Sequence, residues 1–117
     1  MTKLFKLPRP SSGQDGDGPT LTEHAGREYS IACTWDDIRV RLVFSDVRVV
    51  NCRHYGAISL SMIDAYDHVV EYESSQLLTD TRQLIGRMMD AGQYRHLAIC
   101  FDDGPYYEFI CKGFSAS

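Results

Sequence analysis

Residues 97–114, LAICFDDGPYYEFICKGF, are the stretch whose reading decides the fold. Two apolar runs flank Asp102, Asp103, Gly104 and Pro105, and turn residues between two β-forming runs spell an antiparallel hairpin. A slip of one residue in the pairing would send every side chain to the other face, so the pattern itself can choose the register. Pairing Phe101 with Tyr107, Ile99 with Phe109 and Leu97 with Cys111 makes one face wholly apolar. The slipped alternative sets Glu108 opposite Ile99 on that face, where an unpaired carboxylate costs several kcal/mol. The first register is therefore expected, with Cys100 opposite Glu108 on the second face.

Upstream of the hairpin the hydrophobic period stays at two. Tyr29, Ile31, Cys33 and Trp35 share one face of a strand, and Ile38, Val40, Leu42 and Phe44 share one face of the next. Asp36-Asp37 supplies the turn between them, and Ser45-Asp46 another before a strand over residues 47–52. Alternation of Ile58, Leu60 and Met62 with Ser59 and Ser61 predicts a strand over 57–63, and 69–72 a further one. The period then changes: Leu77, Leu84, Ile85, Met88 and Met89 fall at helical spacing. Ser74 or Ser75 can cap the start and Gly92 the end, which predicts one amphipathic helix over 75–91, with Gly86 tolerated inside it.

The N-terminal part is less structured in its pattern. Residues 8–19, PRPSSGQDGDGP, have no apolar periodicity, and residues 1–19 are expected to be a flexible tail. Thr20 and Glu23 fit a capping box, with Gly26 placed to stop a very short helix. The fold class that follows is α+β, a single domain over 20–117. A mostly antiparallel sheet of about five to seven strands carries one main amphipathic helix on one face and a C-terminal hairpin.

At 117 residues with 44% hydrophobic content, the chain can bury one core without disulfides or a metal as staples. A net charge of −4 argues against a general polyanion binder, so no nucleic-acid partner is expected. No apolar run approaches the roughly 20 residues that span a bilayer, and residues 1–8 lack the apolar centre of a secretory signal. Cys33, Cys52, Cys100 and Cys111 lie in apolar runs rather than in Cys-x-x-Cys pairs, which reads as thiols in a reducing compartment. The expectation is a soluble cytoplasmic protein without cofactor, monomer or homodimer.

No motif names a reaction. Gly13, Gly16 and Gly18 follow no strand and precede no Lys-Ser or Lys-Thr, so they cannot cradle a nucleotide. Cys52-x-His54 and His96-x-x-x-Cys100 are the only metal-like spacing, set aside because structural zinc sites draw on tighter pairs. Cys100 with His96 as base and Glu108 as orienting group would follow nucleophile logic, but four strand residues separate the two by roughly 13 Å. Arg39, Arg41, Arg48 and Arg53 alternate as a solvated stripe. Asp64 and Asp67 at one turn and Asp102 and Asp103 at another, with Tyr106 and Tyr107 beside the latter and Tyr55 and Tyr66 at other turns, combine aromatic and acidic groups. The favoured expectation is a non-enzymatic module that binds a protein partner through those loops. The alternative is a small enzyme or ligand-binding protein whose pocket between helix and sheet uses Cys100, Glu108 and His96.

Overall fold

The computed structural model describes residues 1–11, 18–54, 60–86, 90–102 and 104–117. Among them are nine strands, β1 (Thr2–Lys6), β2 (Thr20–His24), β3 (Glu28–Thr34), β4 (Arg39–Ser45), β5 (Val49–Arg53), β6 (His68–Tyr72), β7 (Arg95–Cys100), β8 (Tyr106–Cys111) and β9 (Gly113–Ala116). One helix, α1 (Gln76–Ile85), and two 3-10 segments, Leu60–Ala65 and Ala91–Gln93, are the other elements among the described residues. The protein is α+β, with a five-stranded sheet in the order β1-β6-β7-β8-β5 and a four-stranded sheet in the order β2-β3-β4-β9. Every strand pair in both sheets is antiparallel.

The two sheets enclose one apolar core. Ile31, Cys33, Val40, Leu42 and Phe44 from the four-stranded sheet meet Val69, Leu97, Ile99, Tyr107, Phe109 and Cys111 from the five-stranded one. Phe44 and Phe109 stack across this layer with ring centroids 4.0 Å apart. The outer face of the five-stranded sheet is also covered. Met62 and Ala65 of the 3-10 segment pack on Val70, Ala98, Cys100 and Tyr106, and Leu78 of α1 joins Tyr94 and Ile110. β8 and β9 are one run that changes sheet at Lys112, whose amide donates to the Ser45 carbonyl. Gly113 follows because a Cβ there would lie 2.4 Å from the Ser45 Oγ.

The hairpin keeps the expected faces in a register displaced by two residues. Ile99 pairs with Tyr107, Leu97 with Phe109, and Arg95 with Cys111, so Ala98 rather than Cys100 lies opposite Glu108. The connection is longer than anticipated because Phe101 leaves the ladder, its amide bonded to the Pro105 carbonyl and its own carbonyl to the Gly104 amide. A shift of two preserves side-chain parity, which is why the apolar face survives.

Strand number exceeds the expected five to seven because β1, β2 and β9 are short edge strands with little apolar alternation. Residues 1–19 are thus not wholly a tail: β1 pairs with β6, and Leu7 behind it is buried in the core. Residues 12–17, with Gly13 and Gly16, lie outside the described set. The anticipated helix at Thr20 is instead β2, paired along its length with β3. A helix that short cannot offset its nucleation, whereas the ladder satisfies the same backbone groups at once. Gly26 at φ 75° and Arg27 at φ 61° turn that hairpin.

Residues 60–65 are a 3-10 helix where a strand was expected, and the three-residue spacing of buried Met62 and Ala65 matches its turn. The earlier part of that stretch, with Tyr55, is outside the described residues. Ser75 does cap α1, its hydroxyl accepting from the Leu78 amide. The helix ends at Ile85, not 91: the Gly86 amide closes the last turn on the Arg82 carbonyl, and Gly86 then leaves the helical backbone at φ 20°, where a Cβ would lie 2.4 Å from the Gln83 carbonyl oxygen. Met88 and Met89 lie outside the described residues.

Candidate functional site

The outer face of β7 and β8 carries His96, Ala98, Cys100, Tyr106, Glu108 and Ile110, all buried. A histidine and a glutamate inside that row need partners within reach, and the register provides them. Glu108 faces the small Ala98 across the ladder, which leaves room for the carboxylate to reach diagonally to His96. Its Oε2 is 2.9 Å from His96 Nε2. Asn51, directly opposite Glu108 on β5, donates from Nδ2 to Oε1 at 3.1 Å, and the Tyr106 hydroxyl donates to Oε2 at 3.3 Å. Tyr72, the β6 partner of His96, packs its ring 5.0 Å from the imidazole centroid.

Ser75 completes the chain of contacts. Its Oγ lies 2.7 Å from His96 Nδ1 and 3.1 Å from the Leu78 amide that it caps. Ser75 Oγ thus bridges the first turn of α1 and one ring nitrogen, while the other ring nitrogen faces Glu108. The imidazole is thereby held between a serine hydroxyl and a carboxylate. The His96 bond holds the Glu108 carboxyl below the usual carboxylate range, against desolvation and with help from Asn51. Burial pushes the Tyr106 and Tyr72 phenols upward, so both stay neutral.

Met62, Tyr72, Ser75, His96, Tyr106 and Glu108 line a cavity of about 240 Å³ between α1, the 60–65 segment and the sheet. A larger depression of about 590 Å³ lies along α1, lined by Thr79, Arg82, Gln83 and Gly86. It holds no comparable convergence, since the Arg82 guanidinium is taken by the Tyr94 carbonyl at 2.7 Å.

Cys100 stands apart from the His96–Glu108 pair. Its Sγ donates to the Phe101 carbonyl at 3.7 Å, and burial, with Asp67 adding, pushes the thiol up to about 11. A thiol so protonated is not a nucleophile at neutral pH. Cys52, on the exposed half of β5, and His54, just past its end, are 4.0 Å apart, and Cys52 shares the face of its partner Tyr107, opposite to that of His96. Among the described residues no three histidine, cysteine or carboxylate groups converge on a metal position.

The acidic and aromatic loops are only partly assembled as expected. Tyr106 and Tyr107 are both buried, on opposite faces of β8, so neither forms an exposed loop surface. A sheet covered on both sides hides adjacent residues equally. The Asp64–Asp67 turn and Asp102 do meet: Tyr66 donates to Asp102 Oδ1 at 2.5 Å. Burial and then the Asp102 charge raise the Asp67 carboxyl. Asp64 is exposed, and Asp103 lies outside the described residues. The arginine stripe is divided, with Arg39 and Arg41 exposed on β4 and Arg48 bonded to the Tyr94 hydroxyl at 2.7 Å.

Met62, Tyr72, Ser75 and Tyr106 line this pocket without having been assigned to it by the sequence reading, and Asn51 supports Glu108 from β5. One signal was available: Glu108 is the single charged residue in YYEFIC, and a charge inside an apolar strand implies a partner on the same face. No protein-family model, curated protein or solved structure matches the chain.

Proposed function

We propose that this protein is a small-ligand binding module whose site is the cavity between α1, the 60–65 segment and the outer face of the five-stranded sheet. The observation that carries the reading is the Leu78–Ser75–His96–Glu108 chain of hydrogen bonds opening into that cavity. Ligand sites are concave, mostly apolar and furnished with a few oriented polar groups, and this cavity combines a thioether and two phenol rings with a hydroxyl, an imidazole and a carboxylate. The serine, histidine and carboxylate follow one another as a nucleophile, base and orienting group would. Ser75 is nevertheless committed as the cap of α1, and binding rather than acyl transfer is the role that this geometry favours.

Titrating chemically diverse small fragments into isotope-labelled protein tests the reading by NMR. Saturable shifts gathered on Met62, Tyr72, Ser75 and His96 are the expected result. Shifts gathered elsewhere, or none, would remove this cavity as the functional site.

A second reading has its own observation. The Tyr66–Asp102 bond joins two acidic turns beside exposed Ile63, at 55% exposure, and Tyr66, at 41%. An apolar and aromatic patch rimmed by Asp64, Asp67 and Asp102 suits a protein partner carrying basic residues. Replacing Asp64 and Asp102 by Asn should weaken capture of such a partner, and undiminished capture would end this second reading.

A further inference from the structure

We propose that the cavity lined by Tyr72, Ser75, His96, Tyr106 and Glu108 binds a small organic cation, an ammonium group on a compact hydrocarbon frame. This rests on the reading of the cavity as a ligand site. Three observations converge on the class of ligand.

The first is charge. Glu108 is the one carboxylate among the described lining residues. No lysine or arginine is among the described lining residues, and the potential of Asp64 reaches Tyr72 from the edge of the site. An anion would meet the carboxylate with no lysine or arginine among the described lining residues to offset the repulsion, whereas a cation would be attracted to it.

The second is the state of the carboxylate. Glu108 Oε2 accepts from His96 and Tyr106, and among the described residues Oε1 accepts from Asn51 alone. A carboxylate offers about four acceptor positions, so one remains on Oε1 for a further donor. A charged N–H donor forms the stronger kind of hydrogen bond there.

The third is the wall. The Tyr72 and Tyr106 rings and the Met62 thioether are polarisable surfaces, and phenol faces attract ammonium groups through the ring quadrupole. Size sets the scale: about 240 Å³ equals the space of about eight water molecules, so the frame has about eight non-hydrogen atoms.

Three probes of one shape decide the matter: benzylamine, protonated at neutral pH, benzyl alcohol and benzoate. Each is titrated into the full chain at neutral pH while the His96 imidazole and the Tyr72 and Tyr106 ring resonances are followed. Benzylammonium should bind saturably, at least about tenfold more tightly than the alcohol, with benzoate weakest. Glu108→Gln should lower benzylammonium affinity by about tenfold and leave the alcohol nearly unchanged. If that variant fails to fold, Tyr72→Leu at the half-buried rim replaces it, and it should weaken the ammonium more than the alcohol. Equal or tighter binding of the alcohol or of benzoate would overturn the cationic class while leaving the cavity a ligand site. Absence of all three from the pocket resonances would overturn both.

Discussion

On the inner face of the β7–β8 pair, Leu97, Ile99, Tyr107, Phe109 and Cys111 meet the apolar side chains of the second sheet; on the outer face of the same strands, His96, Tyr106 and Glu108 sit at comparable burial among hydrogen-bond partners. Burial alone does not select for apolar side chains. What separates the faces is the chemistry of the cover. The four-stranded sheet offers Ile31, Leu42 and Phe44, which have nothing to donate or accept. The outer cover brings the capped start of α1, and the neighbouring strands bring Asn51 and Tyr72. A carboxylate is therefore sustainable on one side of β8 and not on the other.

This contrast can be broken or sharpened by substitutions of decreasing weight. Phe109→Ala, which empties the position stacked on Phe44, should cost about 3–5 kcal/mol in urea unfolding. A loss under about 1 kcal/mol would mean that the inner face is not the tight core described. Glu108→Ala strands the His96 N–H, the Asn51 amide and the Tyr106 hydroxyl, for which about 1–3 kcal/mol is expected. Stability unchanged by that substitution would erase the distinction between the faces.

Acid should act on the outer face through the same group. Because the folded protein holds the Glu108 carboxyl below its ordinary 4.5, the stabilisation is present above that value and disappears as pH falls through the lower folded value. Urea midpoints followed from neutral into acid solution should therefore fall less steeply in Glu108→Gln than in the wild type, and parallel curves would assign the acid sensitivity elsewhere. Ser75→Ala should cost about 1 kcal/mol and speed hydrogen exchange at the Leu78 amide. An unaltered Leu78 amide would deny the serine its double role. Leu84→Gln, at a position 89% exposed on α1, should stay within about 0.5 kcal/mol of wild type. A larger loss would show that the outer cover extends further along the helix.

The legibility of this architecture from sequence follows the reach of each signal. Period-two alternation is local, and it located β3, β4, β5, β6 and the hairpin together with the inward faces of Ile31, Leu42, Phe44 and Phe109. Alternation says which residues share a face of a strand, but not which strands share a sheet, so the division into two sheets was not readable. β1, β2 and β9 have mostly exposed or half-buried side chains because they are short edges, and edge strands leave little hydrophobic imprint. Ser75 was legible as a cap because capping depends on the next few residues. Its contact with His96, 21 positions away, depends on how the helix docks, and no local pattern records that. The burial of both Tyr106 and Tyr107 was not readable for a related reason: proximity to an acidic turn suggests exposure unless the sheet is known to be covered on both sides.

The strand order also has a kinetic meaning. β1 pairs residue 2 with residue 71, β4 pairs residue 42 with residue 116, and β5 pairs residue 51 with residue 108. Such partners must find each other across long loops, and chains dominated by distant pairings fold in milliseconds to seconds rather than microseconds. Until β9 arrives, one side of β4 is an open ladder with Phe44 beside it; until β1 arrives, β6 is open in the same way. In any partly folded form that lacks β1 or β9, a sticky edge faces solvent, so the docking of these two short strands guards the chain against aggregation.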